Sequence, residues 1–478
     1  MKKIQIFATC LSLLLLSMSC TGDFEEINED PNRIAEISPG TLINPIIYGM
    51  ASHNASRSAS VTFNLMQVTV PFPSVSGGLH RYDVSPNLGN SSWDNSYKWL
   101  ANVREMRIAA EKTGDANYMA VALTLNAWIY SNLTDQFGPV PMTEAVRGEE
   151  GLLYPKYDSQ EMIYQTLLAD LEAANEMYDE EATMIYAADI LFNNDVKKWR
   201  KFTNSLHMRL LLRISNRAET NAFTKLTAMV ANPDQYPVFE STAESAILKV
   251  TGVGANVSPW GRPQDFRLNV KMASFFIDNL NTFADPRRPL IATTGSATGN
   301  PNIGYIGIPS GYPGSDSQFP YDASTLQIIP ITNPMQIFIL PYSEVAFIKA
   351  ELAQRGYITG AATHYNNGVK AAIEQLKGTM PAGFLDTPSV QFNGTLKQIM
   401  LQKYYGLYFV DYQQWFEYRR TGFPELPTTT AMANGGIMPS RFTYPPDQQV
   451  YNLDNFQEAV QMIGDDDINT KVWWDTLD

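Results

Sequence analysis

The apolar positions open in a block. Ile4 to Phe7 leads into four consecutive leucines, Leu13 to Leu16, behind the basic Lys2 and Lys3 and ahead of Ser17-Met18-Ser19-Cys20. Basic start, apolar middle and small residues at the close are the layout of a secretory signal peptide. The apolar stretch falls short of the roughly 20 residues a membrane-spanning helix needs, so residues 1–19 read as a removable signal. A cysteine directly behind the small residues makes a lipoprotein box, with Cys20 as the lipid-carrying first residue of the mature chain. Ser17 stands where the commonest box has leucine, and an ordinary secreted protein with an incidental Cys20 is the alternative.

Beyond an acidic, Pro- and Gly-broken tether over residues 20–40, the periodicity turns helical. Thr41 to Met66 can hold a helix. Tyr97, Leu100, Arg104 and Ile108 share a face within Trp93 to Thr113, which Gly114 stops. Asp115 is the expected N-cap of a helix running to Phe137 and ended by Gly138-Pro139. Ser159 opens a third, with Met162, Ile163, Leu167, Leu171 and Met177 as its apolar stripe. Asn194 or Asp195 opens a fourth through Trp199, Phe202, Leu206 and Leu210. Its Arg209, Arg213 and Arg217, four residues apart, form a solvated or ion-paired face. Further helices are expected at Lys271 to Phe283, Pro341 to Arg355, Gly360 to Lys377 and Leu396 to Arg420. Between them lie long Pro-, Gly-, Ser- and Asn-rich stretches at about 71–92, 252–321 and 422–470, which read as loop-rich insertions in one helical domain over 41–478. Ala361, Tyr365 and Gly368 follow the small-large-small order of a tetratricopeptide second helix, although no strict period of about 34 residues runs through the chain. The fold class is therefore mostly α, with degenerate helix pairs.

Composition narrows the function. The whole chain carries a formal charge of -14, and loss of the signal removes Lys2 and Lys3 but no acid, leaving -16. Such a chain repels phosphate backbones, which argues against nucleic acid as a partner. The only cysteines are Cys10, inside the signal, and Cys20, so the mature body has neither a disulfide nor a thiolate metal site. His53, His80, His207 and His364 are scattered, with no H-x-x-x-H pair; His207, inside an amphipathic helix, reads as packed or capping. There is no G-x-S-x-G elbow and no phosphate loop. Asp465, Asp466 and Asp467 lack calcium-loop spacing and read as a solvated acidic turn. No cofactor is indicated, and non-catalytic binding is favoured. With 49 acidic residues, a lipid-anchored α-helical glycosidase stays open as a rival.

The binding chemistry lies in the insertions. A sugar ring has an apolar C–H face, which an aromatic ring covers, and a hydroxyl rim that Asn, Asp, Gln or Arg can hydrogen-bond. Trp260 sits beside Arg262, Gln264 and Asp265; Tyr82 adjoins Arg81; Tyr312, Phe319 and Tyr321 surround Asp316 and Gln318; Tyr305 lies nearby. These are candidate ligand contacts, with Trp260 foremost. The alternative for each ring is that it plugs its loop onto the helices. Trp93, Trp415, Trp473 and Trp474 read as packing residues.

Several stretches together resemble the SusD/RagB family of surface lipoproteins that capture nutrients for outer-membrane transporters. They are Cys20 to Asn32, Asn126 to Thr143, Trp199 to Ser215, Ile277 to Arg288, Glu344 to Gly356, Gln402 to Gly422 and Arg441 to Asn452, in the family's order over nearly the whole chain. The resemblance is to the SusD-like branch and not to the founding starch-binding protein. It implies about four tetratricopeptide-like helix pairs with loop-rich, ligand-facing insertions. It also implies a lid on a SusC-like TonB-dependent transporter, binding an oligosaccharide or, in some members, a peptide. Asp23, Glu25 and Glu26 look like the family's signal for export to the outer face, placing the protein on the outer membrane through lipid on Cys20 and facing the cell exterior.

Overall fold

A computed structural model describes residues 37–332 and 334–476. The chain divides into two units, Met1–Ser38 and Pro39–Asp478, and every element named here belongs to the second. The signal peptide, Cys20 and the acidic tether up to residue 36 lie outside the described residues.

The longer helices are α1 Pro39–Arg57, α2 Asn90–Thr113, α3 Ala116–Phe137, α4 Gln160–Met177, α5 Val196–Arg213 and α6 Ala222–Ala231. They continue with α7 Ser274–Thr282, α8 Tyr342–Gln354, α9 Ala361–Glu374, α10 Leu396–Gly406, α11 Gln413–Thr421 and α12 Leu453–Ile463. Their starts follow local chemistry. The side chains of Asp115, Ser159 and Asp195 accept the backbone N–H of Tyr118, Met162 and Lys198, capping α3, α4 and α5. Gly114, at φ 69°, ends α2 in the left-handed conformation that glycine adopts without strain.

Packing follows the apolar stripes. Helix α1 buries Ile43, Ile46, Ile47 and Met50 and lies so close to α2 that a Cβ on Gly49 would fall 2.1 Å from the Trp99 ring. Helix α3 is buried at every position from Ala120 to Phe137, as a central helix must be, and α2, α4 and α5 pack around it. On α4, Ile163, Leu167 and Leu171 are buried as expected. Met162 and Met177 are exposed, because the stripe facing α3 is narrower than the apolar pattern suggested. The body is mostly α and is built of tetratricopeptide-like helix pairs, among them α3–α4, α5–α6 and α8–α9. The α8–α9 pair carries the signature contact, with Tyr365 fully buried and Gly368 so near Phe347 that a Cβ would sit 2.8 Å from its ring.

Buried ion pairs join these helices. Arg209 of α5 meets Glu344 of α8. Arg213 meets Asp135 of α3 at 3.2 Å and Glu417 of α11 at 2.9 Å. Lys403 of α10 also reaches Glu417, and Arg420 of α11 bridges Glu417 and Glu351 of α8. The ion-paired reading of the three arginines holds: Arg209 and Arg213 pair in the core, and Arg217, beyond the end of α5, lies 3.9 Å from Glu219, stacks 5.2 Å over Trp473 and donates to its carbonyl. Trp415 and Trp474 are fully buried, Trp93 nearly so, and Trp473 half-buried.

Four expectations change. The helix expected from Lys271 begins only at Ser274, because Val270–Met272 (β3) pairs antiparallel with Thr69–Pro71 (β1). The single helix expected over Leu396 to Arg420 is two, split by Phe409 at φ 67° and Asp411 at φ 30°. Asn132 and Gln413 donate to the Asp411 carboxylate and Thr62 to its carbonyl, so tertiary bonds hold the break. The C-terminal region expected to be irregular contains α12. In its acidic turn Asp466 accepts from Arg441 and from the Tyr444 N–H, so that residue is an anchor and not a solvated acid. Two further strand pairs, β2 Ala246–Val250 with β6 Met335–Leu340 and β4 Ser296–Ala297 with β5 Tyr321–Asp322, lie in stretches to which no strand was assigned.

Candidate ligand-binding site

Strand pairing draws the separate insertions together. The β1–β3 ladder ties the 71–92 loop to the end of the 252–271 loop, β4–β5 closes 295–322 on itself, and a parallel bridge joins Ala273 to Ile308. The last contact needs Gly307, since a Cβ there would meet the Ser274 backbone at 2.6 Å. Over this base lies a small apolar cluster of Val70, Ala273, Ile308, Tyr312 and Ala323, with Phe72, Phe319 and Tyr321 packed on it.

Most of the candidate side chains fall into two groups, while Tyr82 lies in the main core. Arg81, Tyr312, Phe319 and Tyr321 come together in this cluster. Phe319 meets Tyr312 edge-on at 4.7 Å and Tyr321 at 6.0 Å. The Arg81 guanidinium donates to the carbonyls of Ala431 (3.1 Å) and Tyr312 (3.2 Å) and to Ser74 Oγ, and lies 5.7 Å over the Tyr312 ring. It staples three loops. Tyr312 is 4% exposed and donates to Asp316 Oδ1; Tyr82 is 2% exposed, at φ 60°, with its hydroxyl accepting from Gln67. Both were candidate ligand platforms, and both are instead packed inside, with no ring face open to solvent. Phe319 and Tyr321 are half-buried, and the Tyr321 hydroxyl donates to the Gly307 carbonyl. Tyr305, also half-buried, has the Arg288 guanidinium 5.4 Å over its ring.

Trp260 belongs to the second group. Its half-buried ring stands at 74° to Phe266, 5.0 Å away, and 5.8 Å from Phe409, whose other neighbours are Phe63 and Tyr408. Trp260 is thus the outer member of an aromatic column whose inner members are buried. Tyr48 of α1 donates to the Val257 carbonyl at 2.8 Å and pins the loop that carries it. Beside it, exposed Arg262 and Asp265 form a two-pronged pair at 3.1 and 2.8 Å, and Gln264 is exposed. Ring and polar groups therefore share one short segment, as the sequence suggested.

Charged groups also edge the first cluster. Lys271 pairs with Asp322 at 2.6 Å. Hydrogen bonds from Tyr312 and from the Ser74 N–H hold the Asp316 carboxyl below its ordinary range. Sequence reasoning missed Phe266 and Phe409, which seat Trp260, and Phe72 and Lys271 beside the other cluster. Phe266 lay within sight, six residues from Trp260; Phe409 was hidden in an apparent helix. Among the described residues, no three His, Cys, Asp or Glu side chains converge as a metal site, and no helix is long and apolar enough to cross a membrane.

Known proteins place this architecture. A structure described as a chitin-binding protein matches with TM-score 0.80 and 27% identity, over 92% of this chain and 100% of that one. A SusD homologue from Bacteroides fragilis NCTC 9343 matches with TM-score 0.77 and 23% identity, over 93% and 100%. A structure from Bacteroides vulgatus ATCC 8482, whose description refers to the outer membrane and to nutrient binding, gives 0.74 and 24%, over 91% and 100%. A search among curated proteins returns no match. Residues 31–445 match the SusD-like family described as "Starch-binding associating with outer membrane". With that match spanning most of its length, the chain belongs to the SusD-like, outer-membrane-associated family.

Proposed function

We propose that this protein is a non-catalytic surface lipoprotein, anchored through Cys20, that binds an oligosaccharide on its loop surface and passes it to a SusC-like TonB-dependent transporter. The observation that carries the ligand reading is Trp260: a half-open indole braced from behind by Phe266 and Phe409, with Arg262, Gln264 and Asp265 exposed alongside. The ring suits the apolar face of a sugar and the polar trio its hydroxyl rim. Half-buried Phe319 and Tyr321 offer a second, smaller platform. The chitin-binding relative makes β-linked N-acetylglucosamine oligomers the first ligands to try.

Titration calorimetry with N-acetylchitohexaose and a wider oligosaccharide panel tests the reading. We expect one glycan class to bind and Trp260→Ala to weaken it about tenfold, the equivalent of about 1.4 kcal/mol. Unchanged affinity in that variant removes Trp260 from the site, and binding of peptide mixtures without any response to sugars replaces the ligand class. For the anchor, labelled palmitate is expected to enter the wild-type protein and not Cys20→Ala, and a TonB-dependent barrel is expected to co-purify from membranes.

A further inference from the structure

A cavity of about 610 Å3 lies in the helical body, in a groove between α4, α5 and α6. Its size falls in the about 300–1,000 Å3 range of ligand pockets. Its apolar lining comes from Leu168, Leu211, Ile214 and Met229, one or more from each helix or its end. Its charged lining is three carboxylates, Glu161, Glu172 and Glu219, against a single cation, Lys225. Glu172 accepts from the Tyr236 hydroxyl at 2.6 Å, which fixes it on one wall.

His207 also lines this groove and is 6% exposed. Its Nδ1 has no hydrogen-bond partner, and the nearest carboxylate oxygen, on Glu172, is 3.8 Å away, beyond bonding distance. Burial, with Lys225 nearby, lowers this imidazole to about 4, so at neutral pH it is an uncharged group with one donor and one acceptor nitrogen. A buried polar group without a partner costs stability unless something else pairs it.

We propose that this groove binds an extended peptide segment of a partner, with apolar side chains on Leu168, Leu211, Ile214 and Met229 and Lys or Arg side chains against Glu172 and, three turns away on α4, Glu161. The excess of carboxylates selects a cationic segment over an acidic one. The site shares no residue with the aromatic loops, so it stands or falls independently of the glycan reading.

Fluorescence polarisation on the mature protein tests it, using the fluorescein-labelled peptide Ala-Leu-Lys-Leu-Arg-Leu and a counterpart with glutamate at both basic positions. The basic peptide is expected to bind, to be released by 0.5 M NaCl, and to be indifferent to N-acetylchitohexaose. The double variant Glu161→Gln/Glu172→Gln keeps both hydrogen-bonding shapes and is expected to bind about tenfold more weakly with an unchanged melting curve. Lys225→Glu, on the exposed rim, is expected to bind about threefold more tightly. Equal binding of the acidic peptide, or unchanged affinity in both variants, overturns the proposal. Displacement by spermidine at matching concentration also overturns it, since the occupant is then a small cation.

Discussion

Arg213 and Arg262 each face a carboxylate, yet they do opposite things. Arg213 is 1% exposed at its side chain, bonded to α3 and α11 at once; the Arg262 side chain is 77% exposed, bonded only to Asp265 three residues away. In the helical body a charge is out of water, so each partner is obligatory. On the loop surface water competes for every bond, and the same guanidinium is free to exchange its carboxylate for a ligand. The aromatic rings divide in the same way. Trp415 and Trp474 are sealed in the core, while Trp260 rests on the outer end of its column with part of its ring uncovered. The body is made to hold and the loops are made to offer.

Cutting the buried network tests this contrast hardest. Arg420→Ala takes the bridging guanidinium from both Glu351, left with Arg355, and Glu417, left with Arg213 and Lys403, and is expected to cost about 3–5 kcal/mol in urea unfolding. A loss as small as that of a surface variant ends the contrast.

Acid should expose the same network. Glu417 and Glu351 are buried, which alone raises a carboxyl, but Arg420 and its neighbouring cations overcome this and hold both below their ordinary 4.5. A depressed folded pKa stabilises the fold above about pH 4.5, and the contribution is lost as pH falls through the folded value. His53 and His207 act at higher pH. Burial, aided by Arg57 and Lys225 respectively, lowers them from 6.5 to about 4, so the unfolded chain takes protons first and stability declines as pH falls across that interval. Asp135 and Asp411, raised by burial against the pull of Arg213 and Arg209, oppose the final fall. The urea midpoint is expected to drop from pH 7 to 4; a flat profile contradicts the assignment.

Gly368→Ala places a methyl within 2.9 Å of several Phe347 ring atoms and is expected to cost about 1–3 kcal/mol, read by thermal unfolding. On the loop side, Trp260→Ala is expected to cost at most about 2 kcal/mol of stability, against about 3–5 for a core tryptophan, while removing most glycan affinity. Arg262→Ala, smallest of all, is expected to leave the unfolding curve unmoved and to show only in glycan titration.

Much of the helical body was legible because its signals are local. Asp115, Ser159 and Asp195 cap where expected, and Gly114 stops α2, since an N-cap or a left-handed glycine needs only its near neighbours. The strands were not legible. β1 and β3 are three residues each and pair across two hundred positions, and nothing within Thr69–Pro71 announces Val270–Met272. The break at Phe409 was equally hidden, because Asn132 and Thr62, far away in the chain, hold Asp411 in place. Within the candidate site, the grouping of Trp260 with Arg262, Gln264 and Asp265 was legible as adjacency. The burial of Tyr82 and Tyr312 was not, since a tyrosine in a loop reads alike whether its ring points in or out.

By itself the sequence determined the helix caps, the stripes that bury α3 and α5, the acidic charge, and the family resemblance spread across the chain. These depend on interactions within a few turns or on summed composition. Only the tertiary structure decided which aromatic rings stay partly open, which arginines surrender their water, and where α4, α5 and α6 leave a groove with an unpaired histidine. Those outcomes depend on which distant surfaces meet, and burial converts the same side chain from a strut into a contact.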